Sequence, residues 1–170
     1  MDLKQFIRDV PDWPKPGIVF RDITTLLKDG AAWREALDRL AAACRPFSAE
    51  VVVSPEARGF IVGAALAAQL GVGFVPVRKK GKLPWHTLRG EYALEYGTDV
   101  LEIHRDAVRP GQRVVVVDDL LATGGTIRAT ADMVEKLGGV VCGAVFLIEL
   151  TYLPGREALK GYNVVSIIKL

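Results

Sequence analysis

The sequence predicts an α/β fold with a mostly parallel central sheet flanked by helices. Short runs of β-branched residues alternate along the chain with segments of helical periodicity. The run 114–117 consists of four valines, which is typical of a strand buried on both faces of a parallel sheet. The chain has 170 residues, half of them hydrophobic, which suits a single domain with a full core.

The N-terminal segment is expected to hold little regular structure. Residues 2–9 are predicted to form a short helix. Residues 11–17 contain three prolines and are predicted to be a stiff irregular arm, because proline suits neither a helix interior nor a central strand. Asp29 is expected to cap the helix that follows. The apolar side chains of that helix recur at helical spacing and are Trp33, Leu37, Leu40, Ala41 and Cys44.

Strands and helices are expected to alternate from residue 51 onward. The predicted strands are 51–54, 72–77, 113–117, part of 140–150, and 164–168. The segment 59–70 is apolar nearly all round and is therefore expected to be a buried helix. Residues 78–90 are predicted to be a long loop and 91–103 a hairpin. A last helix is expected to place four apolar residues on one face, namely Ile127, Ala131, Val134 and Leu137.

The strongest local pattern spans residues 114–126. Asp118 and Asp119 follow the valines, and small residues then open the predicted helix. Backbone amides at a helix N-terminus bind phosphate, and carboxylates accept hydrogen bonds from vicinal ribose hydroxyls. The pattern lacks both the Walker lysine and the G-x-G-x-x-G glycines. It therefore predicts a sugar-phosphate site beyond the carboxyl end of a strand.

Two basic groups also follow predicted strands. Arg58 stands at the start of the helix at 59–70, where its guanidinium could clamp a polyphosphate bidentately. Residues 78–82 form a second basic cluster. A short basic run is usually only a solvated face, but two such groups beside a phosphate loop favour an anion site.

These motifs resemble those of type I phosphoribosyltransferases, and residues 114–126 look like the adenine phosphoribosyltransferase branch of that family. The resemblance extends from Pro11 to about Glu149. It implies a glycosyltransferase (pentosyltransferase) of purine salvage that is Mg²⁺-dependent. The implied reaction transfers 5-phosphoribose from 5-phosphoribosyl 1-pyrophosphate to N9 of adenine, giving AMP and pyrophosphate. It also implies a type I phosphoribosyltransferase-like fold over 1–170, with a small N-terminal hood at about 11–25 and a flexible hairpin lid at about 78–103.

The resemblance assigns the binding of the sugar donor. Asp118 and Asp119 would face the ribose hydroxyls. The residues that would hold the 5-phosphate are Ala122, Thr123, Gly124, Gly125 and Thr126. Those that would contact pyrophosphate are Arg58, Arg78, Lys79 and Lys82. The family often has a non-proline cis peptide in its pyrophosphate loop, and here that bond would be Glu56–Ala57.

The resemblance also assigns the base site and the chemistry. Phe20 would stack on adenine, while the backbones of Val19 and Arg21 would read its edge. Glu95 would accept a proton from the purine and Tyr96 would help to close the site, so that these two and Arg58 are the candidate catalytic residues. Mg²⁺ would be held mostly by substrate, and no protein ligand is assigned to it.

Three alternatives remain open from the sequence. One is a phosphoribosyltransferase for xanthine, hypoxanthine or a pyrimidine. Another is a non-catalytic regulator that senses the sugar donor and binds nucleic acid, although the net charge of +2 argues against a nucleic-acid partner. The third is a generic nucleotide-binding domain.

The cellular setting is predicted from what the sequence contains. No apolar stretch is long enough to span a bilayer, and residues 1–6 lack a signal pattern. Cys44 and Cys142 have neither metal-ligand nor redox spacing, which indicates buried thiols in a reducing compartment. We therefore expect a cytoplasmic protein without a membrane partner. The resemblance implies a homodimer in which Lys79 or Lys80 of one subunit reaches the other subunit's site.

Overall fold

The computed structural model describes residues 1–94 and 97–170. Its strands are β1 (Arg8–Pro11), β2 (Val19–Asp22), β3 (Val51–Pro55), β4 (Gly73–Lys79), β5 (Thr87–Leu94), β6 (Gly97–His104), β7 (Arg113–Leu121), β8 (Val140–Glu149) and β9 (Val164–Lys169). Its α-helices are α1 (Thr24–Leu27), α2 (Gly30–Cys44), α3 (Arg58–Leu70), α4 (Gly125–Lys136) and α5 (Gly155–Ala158). Short 3₁₀ helices cover Leu3–Phe6 and Arg45–Phe47.

The main sheet has seven strands in the order β5-β6-β4-β3-β7-β8-β9. The five strands from β4 to β9 in that order are parallel neighbours, while β6 joins β4 and β5 joins β6 antiparallel. The prediction of a mostly parallel sheet is therefore confirmed. Strand order reverses at β3, whose two neighbours are β4 on one side and β7 on the other.

Alternate side chains of the central strands enter two separate cores. On one face Val115 and Val117 of β7 lie in a cluster with α2 and α3. On the other face Val114 and Val116 lie in a cluster with α4. Helices thus cover both faces of the sheet, as the all-valine run predicts, because such a strand must be apolar on both sides.

The predicted cap of α2 is present. The Asp29 carboxylate accepts hydrogen bonds from the backbone N–H groups of Ala31 and Ala32, at 3.1 and 2.9 Å. This contact satisfies two amides that have no partner within the helix. Helix α3 differs from its prediction, because one face of it is open and the Ile61 side chain is 47% exposed.

One local prediction was confirmed for most of its length and two were wrong. The arm predicted at 11–17 is irregular from residue 12 to residue 17, and it connects β1 to β2, which pair in a separate antiparallel sheet. Residues 2–9 do not form one helix, since a 3₁₀ turn leads into β1. The loop at 78–90 is shorter than predicted, because β4 continues to Lys79 and β5 begins at Thr87. In both sheets, pairing with a distant strand extends segments whose own sequence predicts irregular structure.

Candidate active site

The predicted site residues converge where the sheet changes direction. Strands β3 and β7 are parallel neighbours, in the register Val53 opposite Val116, so their carboxyl ends open at the same edge. Arg58 lies just beyond the end of β3, and Asp118 and Asp119 lie near the end of β7. A crevice at the reversal point of strand order is the usual ligand site of open α/β sheets.

The phosphate loop lies between β7 and α4. The sequence predicted that this strand ends before the two aspartates, but in the structure it continues to Leu121. Residues 122–124 then turn into the helix around a hollow of about 90 Å³. Among the described residues no side chain caps the N-terminus of α4, so its first amides are available to an anion. The hollow is lined by Asp118, Leu120, Leu121, Ala122, Thr123, Gly124, Gly125, Thr126 and Ile127.

The loop is held tightly from behind by the start of α5. Gly124 has a φ of +83°, the left-handed conformation that favours glycine. A Cβ there would also lie 2.8 Å from the carbonyl oxygen of Gly155. A Cβ on Gly155 would in turn lie 2.6 Å from the carbonyl oxygen of Ala122. The two glycines therefore allow the backbones to touch, which fixes the shape of the phosphate loop.

The two aspartates are desolvated carboxyl groups. Asp118 Oδ1 accepts a hydrogen bond from the Asp119 N–H at 2.9 Å, and a Cβ on Gly59 would approach that oxygen to 2.7 Å. Desolvation raises the pKa of Asp118 well above its usual range, and the Asp119 charge raises it further. Desolvation also raises the pKa of Asp119, although the charge of Arg58 opposes that rise. Such a pair favours ligands that donate hydrogen bonds, as vicinal hydroxyls do.

Arg58 connects the acid pair to the hood. Its Nε lies 2.9 Å from Asp119 Oδ2, and its guanidinium carbon lies 4.8 Å from the centre of the Phe20 ring. The other neighbour of that ring is Trp13, at 4.5 Å between centroids and 68° between planes. Phe20 is therefore held in place as a stacking surface beside the site.

A second cavity of about 390 Å³ lies between the hood and the sheet. Its size and mainly apolar lining suit a small planar ligand. Val19 and Arg21 both line it, and as alternate residues of one strand they direct their backbone groups to the same side. The lining comprises Gly17, Ile18, Val19, Phe20, Arg21, Arg58, Leu120, Ala122, Leu150, Tyr152 and Leu153. Leu120 and Ala122 also line the phosphate hollow, so the two cavities adjoin.

The basic cluster surrounds a nearly buried acid. Glu56 accepts hydrogen bonds from Arg78 Nε at 3.3 Å, the Lys79 N–H at 2.9 Å and Lys82 Nζ at 2.9 Å. Burial raises the pKa of Glu56, but the hydrogen bonds from Lys82 and Lys79 outweigh it and the net shift is downward. Glu56 is therefore an anion that holds the cluster together. The peptide bond that joins it to Ala57 is cis, as expected.

The hairpin of β5 and β6 rises next to this cluster. It is paired throughout, from Thr87 opposite His104 to Leu94 opposite Gly97. Its root is fixed by Glu102, which is 3% exposed and accepts hydrogen bonds from the Gly81 N–H, the Thr87 hydroxyl and Arg89 Nε. The two other predicted catalytic residues, Glu95 and Tyr96, lie outside the described residues.

Comparison with known proteins identifies the family. The phosphoribosyl transferase domain model matches residues 25–168. The chain belongs to the adenine phosphoribosyltransferase family. It is 58% identical to the adenine phosphoribosyltransferase of Thermoanaerobacter pseudethanolicus, with a TM-score of 0.97 over 99% of this chain and 98% of that one. The Rhodothermus marinus enzyme is 51% identical, with a TM-score of 0.94 over 99% and 96%. The Saccharomyces cerevisiae enzyme, complexed with an imino-altritol bisphosphate and adenine, is 37% identical, with a TM-score of 0.90 over 96% and 94%.

Membership of the adenine phosphoribosyltransferase family confirms the predicted class of enzyme, a pentosyltransferase. The structure adds residues that sequence reasoning missed. The sequence indicated Glu56 only for its peptide bond with Ala57, and nothing in the local pattern indicated Tyr152, which lines the second cavity from the segment after β8.

Proposed function

We propose that this enzyme transfers 5-phosphoribose from 5-phosphoribosyl 1-pyrophosphate to N9 of adenine, giving AMP and pyrophosphate for purine salvage. The bond from C1 of ribose to the pyrophosphate oxygen breaks, the bond from C1 to N9 forms, and N9 loses its proton. The observation that carries this proposal is the pair of adjoining cavities with the acid pair and Arg58 at their junction. Its likeness to relatives named adenine phosphoribosyltransferases supports adenine as the acceptor.

The donor's sugar and terminal phosphate are assigned to β7 and the loop after it. Asp118 and Asp119 accept hydrogen bonds from the two ribose hydroxyls. These hydroxyls supply the hydrogen bonds that solvent does not provide to the desolvated carboxylates. The amides and hydroxyls of residues 122–126 bind the 5-phosphate at the start of α4. The hollow of about 90 Å³ supports this assignment, because it is too small for a base.

The leaving pyrophosphate is assigned to Arg58, Arg78, Lys79 and Lys82. These cations are paired with carboxylates of the chain, as in the contact of Arg58 with Asp119 and that of Lys82 with Glu56. Donor binding exchanges these partners for phosphate oxygens, so the cations are already positioned when charge develops on the leaving group.

Adenine is assigned to the cavity of about 390 Å³. Phe20 supplies a stacking surface, and the backbones of Val19 and Arg21 offer a C=O to the 6-amino group and an N–H to N1. A 6-oxo purine presents the reverse order of donor and acceptor, which would leave buried polar groups unpaired.

The chemistry is assigned to Glu95 and Tyr96, together with Arg58. The transition state resembles an oxocarbenium ion, as in other glycosyl transfers, so water must be kept out. Glu95 accepts the proton released from the imidazole ring of the purine, and Tyr96 helps to close the site over the reacting carbon.

Mg²⁺ fits the donor set of this site. Among the described residues no three His, Cys, Asp or Glu side chains lie close enough together to form a metal cage. The resemblance to the family implies an ion that would be held mostly by substrate, next to the ribose proposed for Asp118 and Asp119. When bound, Mg²⁺ neutralises charge on the leaving group.

The setting of the enzyme is also proposed. Across residues 1–94 and 97–170 the helices are too short or too polar to traverse a bilayer. Cys44 and Cys142 are free thiols, and burial raises the pKa of Cys44 to about 12, which suits a reducing compartment such as the cytoplasm. The family resemblance supports a homodimer in which Lys79 or Lys80 contributes to the neighbouring site.

A rate assay with a panel of bases tests this function. With the sugar donor and Mg²⁺ the enzyme should form AMP from adenine far faster than it forms product from hypoxanthine, xanthine or a pyrimidine. Asp118→Asn combined with Asp119→Asn should lower kcat/KM by about 100-fold or more, because two charge-assisted hydrogen bonds to the ribose are lost. Preference for a 6-oxo purine would overturn the adenine assignment. DNA binding with no product from any base would favour the alternative of a non-catalytic regulator that senses the sugar donor.

A further inference from the structure

Tyr92 joins the lid hairpin to the phosphate loop. It lies on β5, directly opposite Asp99 on β6, and its hydroxyl donates a hydrogen bond to Asp99 Oδ2 at 3.1 Å. Its ring lies beside the loop, since a Cβ on Gly125 would be 4.0 Å from Tyr92 Cδ2. One side chain of the hairpin thus reaches the residues assigned to the 5-phosphate.

Asp99 extends this connection to the basic cluster. Its Oδ2 lies 3.6 Å from Lys79 Nζ, and Lys79 ends β4, which pairs with β6 at that point. The backbone N–H of Val100 and the Tyr92 hydroxyl lower the pKa of Asp99, so it is ionised at neutral pH. A series of contacts therefore runs from the phosphate loop at Gly125 through Tyr92 and Asp99 to Lys79.

The hairpin and the phosphate loop also share a support. Gly90, two residues before Tyr92, lies against α4, where a Cβ would come within 2.9 Å of Met133 Cγ. Helix α4 is the helix whose first turn forms part of the phosphate hollow. The strand segment that carries Tyr92 is thus packed on α4 at Gly90, while the Tyr92 hydroxyl is bound to Asp99 of β6.

We propose that Tyr92 is a positioning residue that couples the two anion sites of the donor: binding of a phosphate at the loop orders the turn at Gly125 and, through Tyr92 and Asp99, fixes the hairpin and Lys79 for pyrophosphate. This inference rests on the proposed function and deepens it. A second anion that binds to an already ordered hairpin loses less conformational entropy, which appears as positive coupling between the sites.

Equilibrium binding of two separate probes tests the coupling without turnover. The affinity for Mg²⁺-pyrophosphate is measured by calorimetry with and without saturating ribose 5-phosphate, and the reverse titration must give the same coupling factor. Tyr92→Phe keeps the ring and removes the hydroxyl. It should reduce the coupling factor about fivefold, the worth of about one hydrogen bond, and leave the affinity for ribose 5-phosphate alone within about twofold.

Tyr162→Phe is the matched control. It removes a hydroxyl that also donates to a carboxylate, Glu135 Oε1 at 2.9 Å, near the far end of the same helix. Its coupling factor should equal that of the unmodified enzyme. An unchanged coupling factor in Tyr92→Phe, or an equal fall in Tyr162→Phe, would overturn the proposal. If the unmodified enzyme formed no AMP, the proposed function would fail instead, whatever the coupling.

Discussion

At the scale of single residues, the site is built around two carboxyl groups that the fold shields from water. Asp118 lies against the backbone of Gly59, and its neighbour Asp119 is 4% exposed with Arg58 as its charged partner. Desolvation raises the pKa of both. A carboxyl with a raised pKa binds a proton more tightly in the folded state, so its ionisation costs folding free energy as the pH rises.

We predict that Asp118→Asn stabilises the free enzyme at alkaline pH while it impairs donor binding. The free-energy cost of ionising Asp118 in the folded state is absent below its ordinary pKa of 3.8. It grows as the pH rises from there toward the raised pKa. The gain in Tm over the unmodified enzyme should therefore be larger at pH 8 than at pH 5. Each kcal/mol corresponds to about 2–4 °C for a chain of this size.

Thermal unfolding followed by circular dichroism measures this difference. Asp132→Asn serves as the control, because Asp132 is 43% exposed and pairs with Arg128 at the surface. It should show no gain that increases with pH. A lower Tm for Asp118→Asn at pH 8 would contradict the argument from desolvation.

Residues of the site could be predicted from sequence where the motif is local. Asp118, Asp119 and the loop after them lie within nine consecutive residues, and Arg58 opens a helix directly after a strand. The residues that these side chains contact could not be predicted. Glu56 meets Lys82 across 26 positions, and Tyr92 meets Asp99 only because the two strands pair in that register. Such contacts depend on strand register, which the pattern of one segment does not determine.

At the scale of elements, the hairpin depends on a single buried acid at its root. Hydrogen bonds from the Gly81 N–H, Thr87 and Arg89 together lower the pKa of Glu102, although burial opposes them. Glu102 itself is 3% exposed, so the three hydrogen bonds lie partly away from solvent. The loop at 80–86 and the start of β5 are therefore held by one side chain of β6.

We predict that Glu102→Ala destabilises the enzyme by about 1–3 kcal/mol, because it removes three partly buried hydrogen bonds. Urea unfolding measures the free energy, and hydrogen exchange should show faster exchange at Gly81 and along β5 than along β8. Glu91→Ala on the exposed side of β5 is the control and should change stability by less than about 0.5 kcal/mol. Equal protection of both strands in Glu102→Ala would show that the root is held by other contacts.

At the scale of the whole molecule, the two cavities belong to different parts of the chain. The hollow proposed for the donor phosphate lies between the main sheet and α4, whereas residues 17–21 of the hood form much of the lining of the cavity proposed for adenine. The fold class could be predicted from sequence, because alternating strands and helices leave few arrangements. The order of the strands and the pairing of β1 with β2 could not be predicted, because the sequence of one strand does not determine which other strand it pairs with.

We predict that the sugar donor with Mg²⁺ stabilises the folded enzyme more than adenine alone does. A ligand at 100 times its Kd adds about 2.7 kcal/mol, or about 5–10 °C in Tm for a chain of this size. The Asp118→Asn, Asp119→Asn double variant should lose most of this shift. A thermal shift of the same size with ATP or other ordinary nucleotides would instead support a generic nucleotide-binding domain.

The contact between Gly124 and Gly155 limits how this active site can change. Neither position accepts a side chain without displacing the backbone opposite, and both support the donor loop. The hood carries no comparable restriction, since Val19 is 40% and Ile18 44% exposed. Attempts to redirect the enzyme to another nucleobase should therefore vary the residues of the hood and leave the glycine pair unchanged. A new base would then bind at the hood, while the loop between Gly124 and Gly155 would keep its shape for the same sugar donor.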